Sequence, residues 1–274
     1  MKRTLGLLVH LAGVAALLVS PSTAASQTWN FTGLTPAQFK SLPPGGPAPR
    51  RDISGIWDGG AQGVGATGQE AERAAARSPF TKLGEEMVRQ NKPGNGPWKV
   101  PVAEINDPLS TLGDPAGMPR LVTFELRAVQ ITQTPNQVLM LYMFEQRYRV
   151  IWTDGRALPA NPDPRWYGYS VGRWEDDFTL VVETVGMDDR TWIDNDGDPH
   201  SDALRVVERY RRVNENTLEL TVTIDDPKVY TKPWLVRNRM PMRLLPANTD
   251  VMPMIPSASE AQLYTREIAS QTKQ

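Results

Sequence analysis

No cysteine occurs in the 274 residues, and histidine is almost as scarce, with His10 and His200 the only two. The first absence excludes thiol nucleophiles, thiolate-ligated metals and iron–sulfur clusters. The second matters because His10 lies in a stretch with the composition of an export signal. Met1-Lys2-Arg3 is a short basic start, Thr4 to Ser20 are mostly apolar, and Thr23-Ala24-Ala25 supplies the small residues that signal peptidase requires. Residues 1–25 are therefore expected to be a signal peptide. The mature chain then keeps one imidazole, His200, which excludes zinc sites built on several histidines. An exported chain without cysteine depends on packing and not on disulfide bonds, and a chain of about 250 residues can bury enough surface to do so.

A strong charge of one sign is also missing. The formal charge is −1 and becomes about −3 without Lys2 and Arg3, so no basic surface recommends nucleic acid as a partner. After Ser20 no apolar run approaches the roughly 18 residues of a membrane span, and none is expected in the mature chain. Gly59-Gly60 with Gly63, Gly65 and Gly68 has the wrong spacing for a dinucleotide loop, and no Gly-x-Ser-x-Gly elbow occurs. Asp194-Asn195-Asp196-Gly197 has the look of a calcium-loop core. With Gly197 at the sixth position, however, the first and twelfth ligand positions fall on Trp192 and Ala203. No cofactor or metal is therefore expected, with a looser oxygen-ligand site at Asp194–Asp198 left open.

What is present is mostly β pattern. Residues 26–52 carry Pro43, Pro44, Gly45, Gly46, Pro47 and Pro49 and are expected to form an extended arm. A first strand is expected at Ile53 to Asp58. Helices are expected over Glu70–Arg77 and Pro79–Asn91, the second capped by Ser78, giving a small helical insertion at about 70–92. Residues 106–120, rich in proline and glycine, read as a structured loop. Beyond Leu121 three hairpins follow: Val129–Thr134 with Gln137–Phe144, Tyr167–Trp174 with Phe178–Val185, and Ala203–Val213 with Leu218–Ile224. Leu218, Leu220, Val222 and Ile224 alternate with polar residues, as in a half-buried antiparallel strand. Arg147–Trp152 alternates as well. Tyr230–Trp234 is expected to close one end, and residues 246–274 to form a C-terminal extension. Hairpins without intervening long helices argue for an all-β fold, an antiparallel up-and-down barrel or half-barrel over residues 53–245.

The segment Gly186 to Asp202 concentrates chemistry on one long connection. It holds His200, Asp189, Asp194 and Trp192. An imidazole among carboxylates suits a general acid or base, with Asp189 or Asp194 to orient it. The competing reading is a polar loop whose acids satisfy turns. Glu208 stands on the otherwise apolar face of Leu204, Val206 and Tyr210, and an inward carboxylate is costly unless paired. Arg149, Arg205 and Arg209 are candidate partners, and Arg149 or Arg209 would hold the anionic charge of a substrate. Glu145 and Asp154, close to the apolar stretches Val138–Phe144 and Arg147–Trp152, raise the same question. Trp152, Trp166, Tyr167, Tyr169, Trp174 and Trp192 are core aromatics or the walls of a ligand cavity.

Two resemblances accompany this reading. Gly55-Ile56-Trp57 resembles the Gly-x-Trp of the first strand in lipocalin-like barrels, which implies a closed sheet. A larger joint pattern comprises Ile151-Trp-Thr-Asp-Gly-Arg156, Gly168-Tyr-Ser-Val-Gly-Arg-Trp-Glu175, Leu180-Val-Val-Glu-Thr184, Pro199-His-Ser201, Glu208-Arg-Tyr-Arg-Arg212 and Tyr230-Thr-Lys-Pro-Trp234. It resembles a large family of exported bacterial proteins frequent in acidobacteria and proteobacteria, over about Asp52 to Trp234. The chain departs from that family where Asp176-Asp177-Phe178 replaces the common Gly-Asp-Thr, and where Gln146 replaces a frequent histidine after Glu145. The resemblance implies export and the placement of motifs, and no reaction.

Together these features describe a periplasmic or secreted barrel. Its cavity is expected to bind a small apolar or aromatic molecule through Trp152, Trp192, Arg149, Arg209, Glu145, Asp154 and Tyr169. The alternative is a cofactor-free lyase, isomerase or hydrolase using His200, Asp189, Asp194 and Glu208. A structural envelope protein is the third class. The oligomeric state stays open.

Overall fold

The computed structural model describes residues 35–59, 78–123, 128–251, 254, 257–263 and 266–267. The expected signal peptide and the helix at Glu70–Arg77 lie outside them. Nine strands form one closed barrel in chain order: β1 Gly55–Asp58, β2 Val129–Gln133, β3 Gln137–Tyr142, β4 Tyr148–Trp152, β5 Tyr169–Trp174, β6 Thr179–Val185, β7 Arg205–Asn214, β8 Thr217–Asp225 and β9 Trp234–Leu244. No described helix is long and apolar enough to cross a membrane.

Alternation builds the wall. In β8, Leu218, Leu220, Val222 and Ile224 are buried while the residues between them are half-exposed. β7 turns Val206, Glu208, Tyr210 and Arg212 inward. The interior is packed with Trp57, Met140, Ile151, Leu180, Leu220, Val222 and Met242, among others, in one continuous cluster. Each such side chain contributes about 1.5–3 kcal/mol through burial. Trp57 also donates its indole N–H to the Ile53 carbonyl at 2.9 Å and lies under the Arg212 guanidinium.

The strand count has a geometric consequence. Strands that strictly alternate up and down close a ring only in even numbers, so nine strands require at least one parallel neighbour pair. Here β4 and β5 are parallel, joined at Ile151–Ser170 and Trp152–Val171. This departs from the purely antiparallel expectation. The chain supplies the necessary crossover with residues 153–168, a connection of the length that parallel neighbours need.

Four further expectations are corrected. A further strand, β9, not expected from the sequence, starts at Trp234 and closes the ring against β1 and β8. Within the arm expected to be extended, α1 (Pro36–Ser41) is a helical turn with a reciprocal Thr35–Gln38 cap, and Phe39 is buried beneath Arg243. The insertion helix α2 is Lys82–Gln90, capped by Thr81 through the Gly84 N–H, while Ser78 donates to Asp198. Phe80 is occupied by a bridge to Tyr230 and a ring stack on it, which delays the start of the helix. The loop over 106–120 carries α3 (Pro108–Thr111) and leads into α4 (Arg120–Thr123); α5 (Ala258–Leu263) lies in the C-terminal extension.

Candidate functional site

The inward carboxylate singled out from the sequence does have a partner. Arg149 donates to Glu208 through Nη1 at 3.0 Å and Nη2 at 2.5 Å, to Thr184 Oγ1 at 2.7 Å, and through Nε to Ser170 Oγ at 3.1 Å. Tyr210 adds its hydroxyl to Glu208 at 2.7 Å. Arg149 and Glu208 are 3% and 0% exposed, so the pair stands or falls by completeness of its bonding. Burial pulls the guanidinium pKa down, yet the charge and hydrogen bonds of Glu208, with Tyr142 and Tyr210, together outweigh it and the net direction is up. Burial, and then the Glu208 charge, push Tyr210 well up, so the phenol stays a donor. The cluster ties β4, β5, β6 and β7 together where the β4–β5 ladder is shortest. Glu208 and Arg149 thus form an internal strap.

Outside that strap the wall opens. Because β4 and β5 meet at only two positions, the chain on either side of the seam diverges, and the crossover folds over the gap. The result is a cleft of about 930 Å³, a volume suited to a small molecule. Tyr148, Trp152, Trp166, Tyr167 and Tyr169 supply aromatic surface, and Arg147, Arg149, Arg156 and Arg165 supply cations. Among the described residues no aspartate or glutamate lines it. The arginines stack on the rings: Arg156 lies 3.6 Å from the Trp152 centroid and Arg165 lies 3.9 Å from that of Tyr169. Arg156 is also held by Asp154, whose carboxyl sits below its usual range because of that hydrogen-bonded partner.

One end of the cleft carries backbone strain. Glu145 and Gln146 both have positive φ, 61° and 48°, in the turn that joins β3 to β4. Non-glycine residues in this region cost about 1 kcal/mol or more each. The arrangement aims the buried Glu145 carboxylate at two donors, the Ala116 N–H at 2.7 Å and the Tyr167 hydroxyl. Burial, and then the Glu145 charge, raise the Tyr167 pKa, which keeps the phenol protonated and donating. Glu145 therefore fixes a ring of the cleft without lining the cleft itself.

The Gly186–Asp202 connection is built differently. His200 is fully buried. Its Nε2 lies 2.8 Å from Thr191 Oγ1 and its Nδ1 3.1 Å from the Ser201 carbonyl. Thr191 Oγ1 itself donates to the Asp188 carbonyl at 2.9 Å, and burial lowers the pKa of the ring. Asp194 is buried and accepts from the Asp196 and Asp198 N–H groups at 2.8 and 3.3 Å, a turn-forming role. Asp189 is exposed. Trp192 is buried 5.4 Å from the Arg120 guanidinium, itself bonded twice to Asp107 at 2.7 Å.

Of the residues singled out from the sequence, Trp152, Arg149 and Tyr169 line one cleft, and Glu145 and Asp154 hold two more of its side chains. Trp192 and Arg209 lie elsewhere, and Arg209 pairs with Glu175 on the outer face. His200 and Glu208 do not share a cluster: the carboxylates whose charge reaches the imidazole are Asp226, Asp189 and Asp188, whereas Glu208 is spent on Arg149 and Tyr210. Sequence reasoning missed Arg147, Arg156 and Arg165. Their signal was their position within a few residues of the Tyr148–Trp152 and Trp166–Tyr169 aromatics. No family model, curated protein or solved structure matches this chain. Fold and site together define a closed all-β barrel with an aromatic, arginine-rich cleft in its wall.

Proposed function

We propose that this protein is an exported binding protein for a small molecule with a flat, apolar or aromatic body, held in the cleft between β4 and β5. The observation that carries this reading is the cleft itself, with five aromatic residues, four arginines and no acid around about 930 Å³. Pockets of this size with apolar walls and a few oriented polar groups are the usual form of small-molecule sites. The packed interior supports a site in the wall in preference to one along the barrel axis. Export is supported by the composition of residues 1–25. The acid–base alternative draws no support from His200, which is buried and engaged at both nitrogens.

The test is titration of the mature chain with the uncharged probe N-phenyl-1-naphthylamine, read by its fluorescence. Saturable binding is expected, weakened about tenfold by Trp152→Ala, as befits a central aromatic contact. No saturable binding, or binding indifferent to Trp152→Ala, contradicts the proposal.

A further inference from the structure

We infer that the ligand of the cleft carries an anionic head, and that Arg165, assisted by Arg147, receives it. This rests on the binding reading above and adds the charge of the molecule bound. Of the four arginines around the cleft, two are already neutralised. Arg149 is bonded to Glu208, and Arg156 to Asp154. No carboxylate pairs with Arg147 or Arg165 among the described residues. With no acid in the lining, the cleft therefore keeps two uncompensated positive charges beside its aromatic walls.

Arg165 is also preorganised. Its backbone N–H donates to the Gly186 carbonyl at 3.0 Å, and its own carbonyl accepts from the Gly168 and Asp188 N–H groups at 3.1 and 3.0 Å. These bonds fix its Cα against the start of the Gly186–Asp202 connection. Its guanidinium carbon lies 3.9 Å from the Tyr169 ring centroid. A guanidinium over an aromatic ring keeps N–H donors with which it can grip a carboxylate or sulfonate by two bonds. Arg147 stands at the opposite edge of the seam, close enough for its charge to act on the Tyr167 phenol. An anion between them meets donors from both strands, while Trp152, Tyr148 and Leu158 offer apolar contact to the rest of the molecule. A cationic ligand of the same shape meets two like charges and is disfavoured.

Two probes separate charge from shape: 1-anilinonaphthalene-8-sulfonate and N-phenyl-1-naphthylamine share an aromatic body, and only the first has the sulfonate. On the mature chain the sulfonate probe is expected to bind at least about tenfold more tightly. The double variant Arg147→Gln, Arg165→Gln should remove that preference by weakening the sulfonate probe about tenfold more than the neutral one. Both side chains belong to exposed residues, so the fold is not at stake. Equal affinities for the two probes, or a preference that survives the double variant, overturn the anion inference while leaving cleft binding intact. Failure of both probes to bind the native chain, or binding of both that ignores Trp152→Ala, overturns the binding reading itself.

Discussion

The seam between β7 and β8 and the seam between β4 and β5 belong to one barrel and are built in opposite ways. The first is antiparallel and runs in register from Arg205–Asp225 to Asn214–Thr217, with one bulge. The second is parallel and holds at two positions. At the long seam the backbone ladder carries the wall, and inward side chains are free to be apolar. At the short seam a side-chain cluster, Arg149 with Glu208, Ser170 and Thr184, does the tying. Charge follows the same division. Acids and arginines on the outer face of the knitted wall neutralise one another, as Arg173 and Arg205 do with Glu183 and as Arg239 does with Glu219. At the open seam Arg147 and Arg165 keep their charge. Closing nine strands forces one parallel seam, and the chain's aromatic and cationic surface collects there.

The sharpest way to break this contrast is to cut the internal strap. Arg149→Ala leaves Glu208 buried without a counter-charge and is expected to destabilise the fold by about 3–5 kcal/mol in urea denaturation. Replacing both partners with apolar residues of similar size, Arg149→Met with Glu208→Leu, should recover most of that loss. If Arg149→Ala alone is nearly neutral, the strap does not hold the seam.

The crossover offers a second cut with an internal control. Gly168 has φ +61°, and a Cβ there would lie 2.5 Å from the Val185 carbonyl oxygen, whereas Gly155 has φ +84° with nothing within 4 Å. Gly168→Ala is expected to cost about 2 kcal/mol or more. Gly155→Ala bears only the left-handed backbone, about 1 kcal/mol. Equal thermal shifts for the two would contradict a crossover packed against β6.

A pH titration sharpens the contrast between cleft and Gly186–Asp202 connection. The folded pKa of His200 lies below its ordinary value of 6.5 because of burial. The unfolded chain therefore takes up a proton first as pH falls, and stability declines below about pH 6.5. The loss from this group should show as a falling urea-denaturation stability between pH 7 and 5.5. His200→Asn should flatten that part of the profile. A profile unchanged by the substitution would mean that the imidazole is not held neutral.

The smallest effect belongs to the knitted wall. Arg173→Gln removes an exposed ion pair with Glu183 and is expected to change stability by less than about 1 kcal/mol. A larger loss would mean that the outer charges, and not the ladder, hold β5 to β6.

Much of this architecture was legible in the residues. The period-two pattern of Leu218 to Ile224 placed β8 on the core, and Glu208 on an apolar face demanded a cation, with Arg149 among those named. β9 was hidden because its alternation is broken. Val236 and Arg237 are buried side by side, Arg239 has φ 49°, the register shifts twice against β8, and Pro241 interrupts the run. Pro241 lies beyond the part of β9 that β1 covers, where a missing N–H is tolerated. The parallel seam was hidden for a different reason, since periodicity records which face is buried and not which way a strand runs. Once β4 and β5 are parallel, residues 146–152 and 165–171 become opposite lips of one opening. Trp152, Tyr169 and Arg149 therefore meet in one cavity, and that cavity is lateral.

Hydrogen exchange of the backbone amides, with and without saturating 1-anilinonaphthalene-8-sulfonate, tests the lateral site most directly. Slowed exchange is expected at residues 146–152 and 165–171, with β7 and β8 unchanged. Protection confined to the separate hollow bounded by Ile105, Leu109 and Ala261, or spread evenly over the barrel, would contradict a ligand seated between β4 and β5.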